Sequence, residues 1–249
     1  MDLSNAPATL AVVAVFFVAT LVRSTFGFGE ALIAVPLLAF VLPVEVAAPV
    51  AVLVSITVAA IVVARDWQHV QLRSAGRLVI STLFGLPLGL ILLRSVPESI
   101  VKLVLGALVA GFSMWSLARA HAHELEDDRL AWVFGWLAGV LGGAYGMNGP
   151  PLAVYGTMRR WPAAQFRATL QGYFLPASLL GLIGYWATGL WTPAVTRYYV
   201  VSLPAVVLAI LLSRWINRRL AGARFLVYVH AFLIAVGATL VVQSLVRLT

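Results

Sequence analysis

Arg23 and Glu30 are two charges set inside apolar sequence that runs from Pro7 to Leu42, and the step between them is Ser24-Thr25-Phe26-Gly27-Phe28-Gly29. A charge at bilayer depth costs a few kcal/mol even on lenient scales, so both need partners or a ligand. Gly27 and Gly29 let the backbone leave helical geometry there, which frees N–H and C=O groups to face a ligand. The chemistry such a set supports is oxyanion binding. A guanidinium presents donors in a planar fork that matches two oxyanion oxygens. A carboxylate beside it is what proton coupling uses, which makes Glu30 the candidate coupling residue. The alternative role for Glu30 is to neutralise Arg23 and support folding.

A second apolar region is interrupted in the same way by Gly143-Ala144-Tyr145-Gly146-Met147-Asn148-Gly149-Pro150-Pro151. Placing Gly27 on Gly146 sets a shift of 119 (146 minus 27), which also brings Ala34-Val35 onto Ala153-Val154 and Pro43 onto Pro162. That pattern suggests a duplication. Corresponding interrupted segments in two halves of a membrane chain point to a midplane site between inverted repeats. The candidate binding residues are therefore Arg23, Ser24, Thr25, Gly27 and Gly29 from the first half and Tyr145, Asn148, Gly149, Arg167 and Gln171 from the second. Thr25, Tyr145, Asn148 and Gln171 would donate hydrogen bonds to oxyanion oxygens, or satisfy a neighbouring helix. Arg167 is equally explained as a topology determinant.

These residues need elements to hold them. With 249 residues, 62% of them hydrophobic and 10% charged, and a mean hydropathy of +0.98, the chain is expected to be an all-α polytopic membrane protein forming one transporter domain over 1–249. Spans are expected at Val44–Ala64, Leu78–Leu93, Ile100–Ala118, Phe166–Ala187, Val195–Leu212 and Phe225–Leu245. Pro7–Leu42 and Leu130–Tyr155 are each one bent span or a hairpin that enters and leaves on one side. Arginine placement favours hairpins. Arg65, Arg73 and Arg77, then Arg159, Arg160 and Arg167, then Arg214, Arg218, Arg219 and Arg224 mark three cytoplasmic loops. Only a hairpin with no net crossing keeps the first two on one side. Each repeat is then a broken-helix hairpin plus three spans, about 7–118 and 130–249, joined by a cytoplasmic linker at 119–129. Three is odd, so the second repeat is inverted and both termini fall outside. Lys102 and Arg94, near an outer turn, dissent mildly.

The net charge of +8 is explained by these loops rather than by nucleic acid. There are no cysteines, and Asp2 with no basic segment argues against a cleaved signal. His121, His123, Glu124, Glu126, Asp127 and Asp128 in the linker read as a solvated charge run, without a fixed metal geometry. His69 and His230 are single histidines with no assigned chemistry, and no cofactor or metal is expected. Pro87 between Gly85 and Gly89 should kink its helix. Gly106-xxx-Ala110 and Ala107-xxx-Gly111 read as packing faces for a helix or for a second copy in a homodimer. No paired Asp motif, H-E-x-x-H or Ser/His/Lys arrangement lies in the spans, which argues against an enzyme.

Phe26-Gly27-Phe28-Gly29-Glu30-Ala31-Leu32-Ile33-Ala34-Val35-Pro36-Leu37-Leu38, Gly142-Gly143-Ala144-Tyr145-Gly146-Met147-Asn148-Gly149-Pro150-Pro151-Leu152-Ala153-Val154-Tyr155 and Phe166-Arg167-Ala168-Thr169-Leu170 carry a resemblance over the whole chain. The sequence resembles the sulfite exporter TauE/SafE family, also described as four-toluene sulfonate uptake permeases. Glu30-Ala31 and Met147-Asn148-Gly149 depart from the fuller glycine runs usual in that family. The resemblance implies a bacterial inner-membrane secondary transporter of small sulfur-containing anions such as sulfite or organosulfonates, usually outward. The alternative reading of the residues is a passive anion channel, against which Glu30 speaks.

Overall fold

The computed structural model describes residues 6–118, 125, 128–220 and 223–248. Ten α-helices account for nearly all of it: α1 (Ala6–Phe26), α2 (Glu30–Leu38), α3 (Val44–Asp66), α4 (Leu72–Ser95), α5 (Glu98–Ala118), α6 (Ala131–Tyr145), α7 (Gly149–Met158), α8 (Ala163–Ala187), α9 (Pro193–Leu220) and α10 (Ala223–Leu248). No strand occurs among the described residues. Six helices, α1, α3, α4, α5, α9 and α10, are long and apolar enough to cross a membrane. Their outward faces carry exposed Ile80, Phe84 and Ile91 on α4 and Val200, Leu208 and Leu211 on α9, as lipid contact requires. The expected spans appear as helices, with two differences. At 21 residues α1 is itself long enough to cross. The 25-residue α8, whose apolar sequence is interrupted by Gln165, Arg167 and Gln171, is not among the six.

The two breaks are narrower than the sequence suggested. Arg23 belongs to the last turn of α1 and Glu30 opens α2, so the non-helical step is Gly27 to Gly29. Gly27 and Gly29 have φ of 88° and 101°, values that an L side chain resists, and α1 cannot continue through them. Gly146 ends α6 in the same way with φ of 65°. Pro150 and Pro151 then sit in the first turn of α7, where a missing N–H is harmless. The shift of 119 reappears in the helix ends. It carries Phe26 onto Tyr145, Glu30 onto Gly149 and Val44 onto Ala163, the bounds of the corresponding helices.

Helix pairings follow the same exchange. α4 packs on α6 as α9 packs on α1, α4 on α8 as α9 on α3, and α1 on α2 as α6 on α7; α3 meets α8 and α5 meets α10. The α4–α6 contact is the tightest. A Cβ on Gly85 would strike the Trp136 carbonyl, one on Gly89 the Val140 carbonyl, and one on Gly139 would lie 2.5 Å from the Thr82 carbonyl. Gly106 of the anticipated packing face meets Gly237 of α10, where a Cβ would lie 2.6 Å from that carbonyl, whereas Gly111 faces open space. Buried side chains of α1, α2, α3, α5, α9 and α10, joined by Leu86, Leu90 and Leu93 of α4, Tyr145 of α6 and Tyr185 of α8, form one apolar core; a second gathers Ala59, Leu78, Ala138, Leu152, Tyr155 and Tyr173.

Candidate functional site

The two breaks meet at one cavity. Its walls include Phe28 to Leu32 from the first break and Gly146 to Pro150 from the second, together with Arg23, Ser55 and Phe174. α2 and α7 both begin here, so two helix N-termini, each bearing a partial positive charge, face the same volume; Pro150 and Pro151 carry no N–H, so α2 supplies most of the backbone donors. Ser55 and Phe174 are themselves related by 119 (174 minus 55), one on α3 and one on α8.

Arg23 is the centre of the polar network. It is buried, and its Nη1 donates to Glu30 Oε2 at 2.5 Å and to Ser55 Oγ at 2.8 Å. Nη2 donates to Gln171 Oε1 at 2.8 Å and to the Ser55 carbonyl at 3.4 Å. Its guanidinium carbon stands 4.9 Å from the Phe174 ring centre, a cation–π distance. Ser178 Oγ donates to Ser55 Oγ at 3.1 Å. The fork anticipated for an anion is thus filled largely by protein acceptors. Arg23 Nε and Glu30 Oε1, both buried, meet no partner among the described residues. Buried polar atoms without partners are rare, and these two belong to side chains that line the cavity.

Asn148 enters from the second break as expected and lines the cavity. Its Nδ2 donates to Tyr173 Oη at 3.3 Å, and Tyr173 shares a 2.6 Å hydrogen bond with Thr82 Oγ1. Thr82 has one proton, and the Leu78 and Gly135 carbonyls lie 2.9 and 3.0 Å from its oxygen. Thr82 donates to a carbonyl, so Tyr173 donates to Thr82 and accepts from Asn148. Asn148 lies flat on Gly142, where a Cβ would strike its side-chain amide.

The remaining candidates divide. Gly29 and Gly149 line the cavity. Gln171 is buried and joins both partners of the first break: besides accepting from Arg23, its Nε2 donates to the Gly27 carbonyl at 2.7 Å. Arg167 is exposed, and its stem covers Gly27, where a Cβ would lie 2.8 Å from Arg167 Cγ. Tyr145 is turned away. It donates to the Val101 carbonyl of α5 at 3.1 Å and does not line the cavity. Ser24 is half-buried in the last turn of α1, and the Thr25 side chain lies outside the described residues. His121, His123, Glu124, Glu126 and Asp127 also lie outside them. His230, which the sequence leaves without a partner, is 2.9 Å from Ser116 Oγ through Nε2. Ser55, Tyr173, Phe174 and Thr82 were missed. Ser55 could have been found as one of two polar residues, with Thr57, inside the apolar run of α3; the aromatics give no such signal.

A multi-pass membrane protein in which two broken helices converge on a buried, polar cavity is a transporter by architecture. The chain belongs to the sulfite exporter TauE/SafE family, whose model matches residues 12–240. Members of that family are membrane transporters and not enzymes. The chain is similar to the "Probable sulfite/organosulfonate exporter TauE" of Cupriavidus necator, at 26% identity over 225 residues, 88% of each chain. No solved structure matches it.

Proposed function

We propose that this transporter carries small sulfur-containing oxyanions, sulfite or organosulfonates, outward across the bacterial inner membrane, coupled to protons through Glu30. The observation that carries the reading is the convergence of the α2 and α7 N-termini on one cavity beside a buried arginine. Helix N-termini bind oxyanions through N–H groups and the macrodipole. The family and the named substrates of the Cupriavidus relative support the sulfur chemistry.

Coupling follows from the ion pair. While Glu30 is ionised, it holds Nη1 of Arg23. A proton on Glu30 weakens that hold, and the guanidinium can then offer Nη1 as well as Nε to an anion. Proton and anion binding therefore reinforce each other. Asn148, with its amide held by Tyr173, would supply a further donor from the opposite break.

The coinciding helix ends and exchanged pairings support two repeats, about 7–118 and 130–249, and the arginine-rich loops support their inversion, with both termini outside. Purified protein in liposomes provides the test. Saturable sulfite or sulfonate flux driven by an imposed pH gradient is expected; flux that follows the anion gradient alone, indifferent to pH, would make the protein a channel.

A further inference from the structure

A groove of some 460 Å³ opens where α4 and α8 end side by side. The two helices run in the same direction there: a Cβ on Gly181 would touch Leu86, and one on Gly184 would strike Leu90. Past that contact α8 ends at Ala187, and Gly189, with φ of 73°, turns the chain aside. α4 continues to Ser95 and lines the space that is left, with Pro87, Leu90 and Ile91 at one end of it and Arg94 and Ser95 at the other; Thr188 faces them from the end of α8. Pro87 to Arg94 covers about 10 Å of helix. Ile91 belongs to the exposed, lipid-contact face of α4, and Arg94 is exposed too, so the groove opens outward from the bundle. Arg94 lies at the end of α4 opposite Arg73 and Arg77, where topology gives a cation no reason to be. Lys102, near the same end, is paired with Glu98 at 2.9 Å, whereas no carboxylate stands within ion-pair distance of Arg94 among the described residues.

We propose that this groove binds one anionic phospholipid, with the phosphate on Arg94 and the upper part of an acyl chain along Pro87, Leu90 and Ile91. A guanidinium takes two phosphate oxygens at once. The lining holds one positive charge and no carboxylate, so it complements a singly negative headgroup such as that of phosphatidylglycerol. The ammonium of a zwitterionic headgroup would find no partner there and would meet Arg94 as a like charge. Thr188 gives its proton to the Gly184 carbonyl at 2.8 Å, which leaves its oxygen to accept from a headgroup hydroxyl, and Ser95 can donate or accept. Apolar side chains followed by a charge and two hydroxyls repeat the order of a phospholipid from chain to headgroup. A free phosphate would use Arg94 and gain nothing from the apolar wall. Snorkelling to the membrane surface, or the negative end of the α4 dipole, would also suit an arginine at this position, but neither needs a groove beneath it. A lipid seated here bridges α4 to α8, the helix that brings Gln171 and Phe174 to the central cavity, so its binding stabilises the folded bundle.

The experiment titrates the purified full-length protein, in neutral detergent, with dioleoylphosphatidylglycerol or dioleoylphosphatidylcholine and follows the thermal unfolding midpoint. A ligand of the folded state raises that midpoint with its concentration. The parent is expected to rise with phosphatidylglycerol by roughly twice as much as with phosphatidylcholine, or more. Arg94→Gln should lose most of this excess. Ile91→Trp, which fills the groove from an exposed position and keeps the charge, should lose it as well. Arg73→Gln removes an exposed charge from the opposite end of α4 and should retain it. Each variant is compared with itself without lipid, so a lowered starting midpoint leaves the comparison intact; if one groove variant does not fold, the other decides against Arg73→Gln. A parent indifferent to the headgroup, or a groove variant that keeps the full excess, overturns the site. Equal losses in Arg94→Gln and Arg73→Gln overturn it in favour of diffuse surface charge. The same rise with inorganic phosphate overturns it in favour of a free anion, and a dimer lost in Ile91→Trp without any lipid dependence assigns the groove to a second copy instead.

Discussion

Gln171, on α8 of the second half, holds the Gly27 carbonyl of the first break through Nε2 at 2.7 Å. The same side chain accepts from Arg23, so one amide fixes both the opened backbone and the charge beside it. Removing it leaves a buried carbonyl and a guanidinium N–H without partners, each costing about 1–3 kcal/mol. Gln171→Leu is expected to lower the thermal unfolding midpoint and to abolish anion-induced stabilisation, read in a thermal-shift assay. Retention of both the midpoint and the anion response would show that the break holds itself.

Arg23 requires a paired experiment, because its partner is buried with it. Arg23→Ala strands Glu30 and should destabilise the fold by about 3–5 kcal/mol. Arg23→Ala combined with Glu30→Ala removes both charges and should recover folded protein without recovering anion binding. Arg23→Lys keeps the charge but lacks the fork, and should bind sulfur anions measurably more weakly than the parent. Parent-level binding in the double variant would remove Arg23 from the site.

For Glu30 the linkage predicts that anion affinity increases as pH falls through its titration and then levels off. Glu30→Gln mimics the protonated state, so its binding should be pH-independent and its flux insensitive to an imposed pH gradient. A variant that keeps the parent's pH profile would place coupling elsewhere.

Asp128 forms a latch where the linker runs into α6. It accepts from Ser74 at 3.0 Å and Tyr155 at 2.8 Å, with Arg159 at 3.4 Å and Arg77 at 3.7 Å, and so ties α4 to α7. Burial tends to raise its carboxyl, but the Tyr155 and Ser74 hydrogen bonds and the two guanidinium groups outweigh this and hold it below the ordinary carboxylate range. The folded-state value is depressed, so the latch contributes fully above the unfolded value of 3.8 and is lost as pH falls below it. Asp128→Asn should lower the unfolding midpoint by a few degrees at neutral pH. That difference from the parent should shrink as pH falls below 3.8 and through the folded-state titration; a constant difference would assign it to shape rather than charge.

Orientation can be read with single cysteines, since the chain has none. Gln71→Cys and Ala164→Cys, both at exposed positions, should resist an impermeant thiol reagent in intact cells, and Ser95→Cys should react. Labelling of only one of the first two would overturn the inverted arrangement.

The fold was legible wherever composition and length decide it, because long apolar runs leave helices as the one way to satisfy the backbone. Both breaks were legible too, since Gly27, Gly29 and Gly146 adopt backbone angles that other residues avoid. What the sequence hid was direction. Tyr145 and Gln171 are both polar side chains near a break, yet one turns to Val101 and the other into the Arg23 network. Nothing in spacing distinguishes them. Likewise Arg23 was visible as a charge needing an offset, and Glu30 was legible as its partner, but Ser55 and Gln171, which take up the rest of the fork, lie at sequence separations of 32 and 148 that no local pattern encodes.

The glycine seam between α4 and α6 has a mechanical consequence. Backbone lies on backbone there, through Gly85, Gly89, Gly135, Gly139 and Gly143, and the side chains between, Ser81 and Thr82, are held on the Trp132 and Gly135 carbonyls. The corresponding pair, α1 and α9, contains no glycine and meets through side chains. One joint is welded and its counterpart is greased. Access alternating between the two membrane faces is therefore expected to come from sliding of α1 along α9, with α4 and α6 as a fixed spine. A chemical cross-link between α4 and α6 should leave flux intact, whereas one between α1 and α9 should stop it; the opposite result would put the moving joint at the seam.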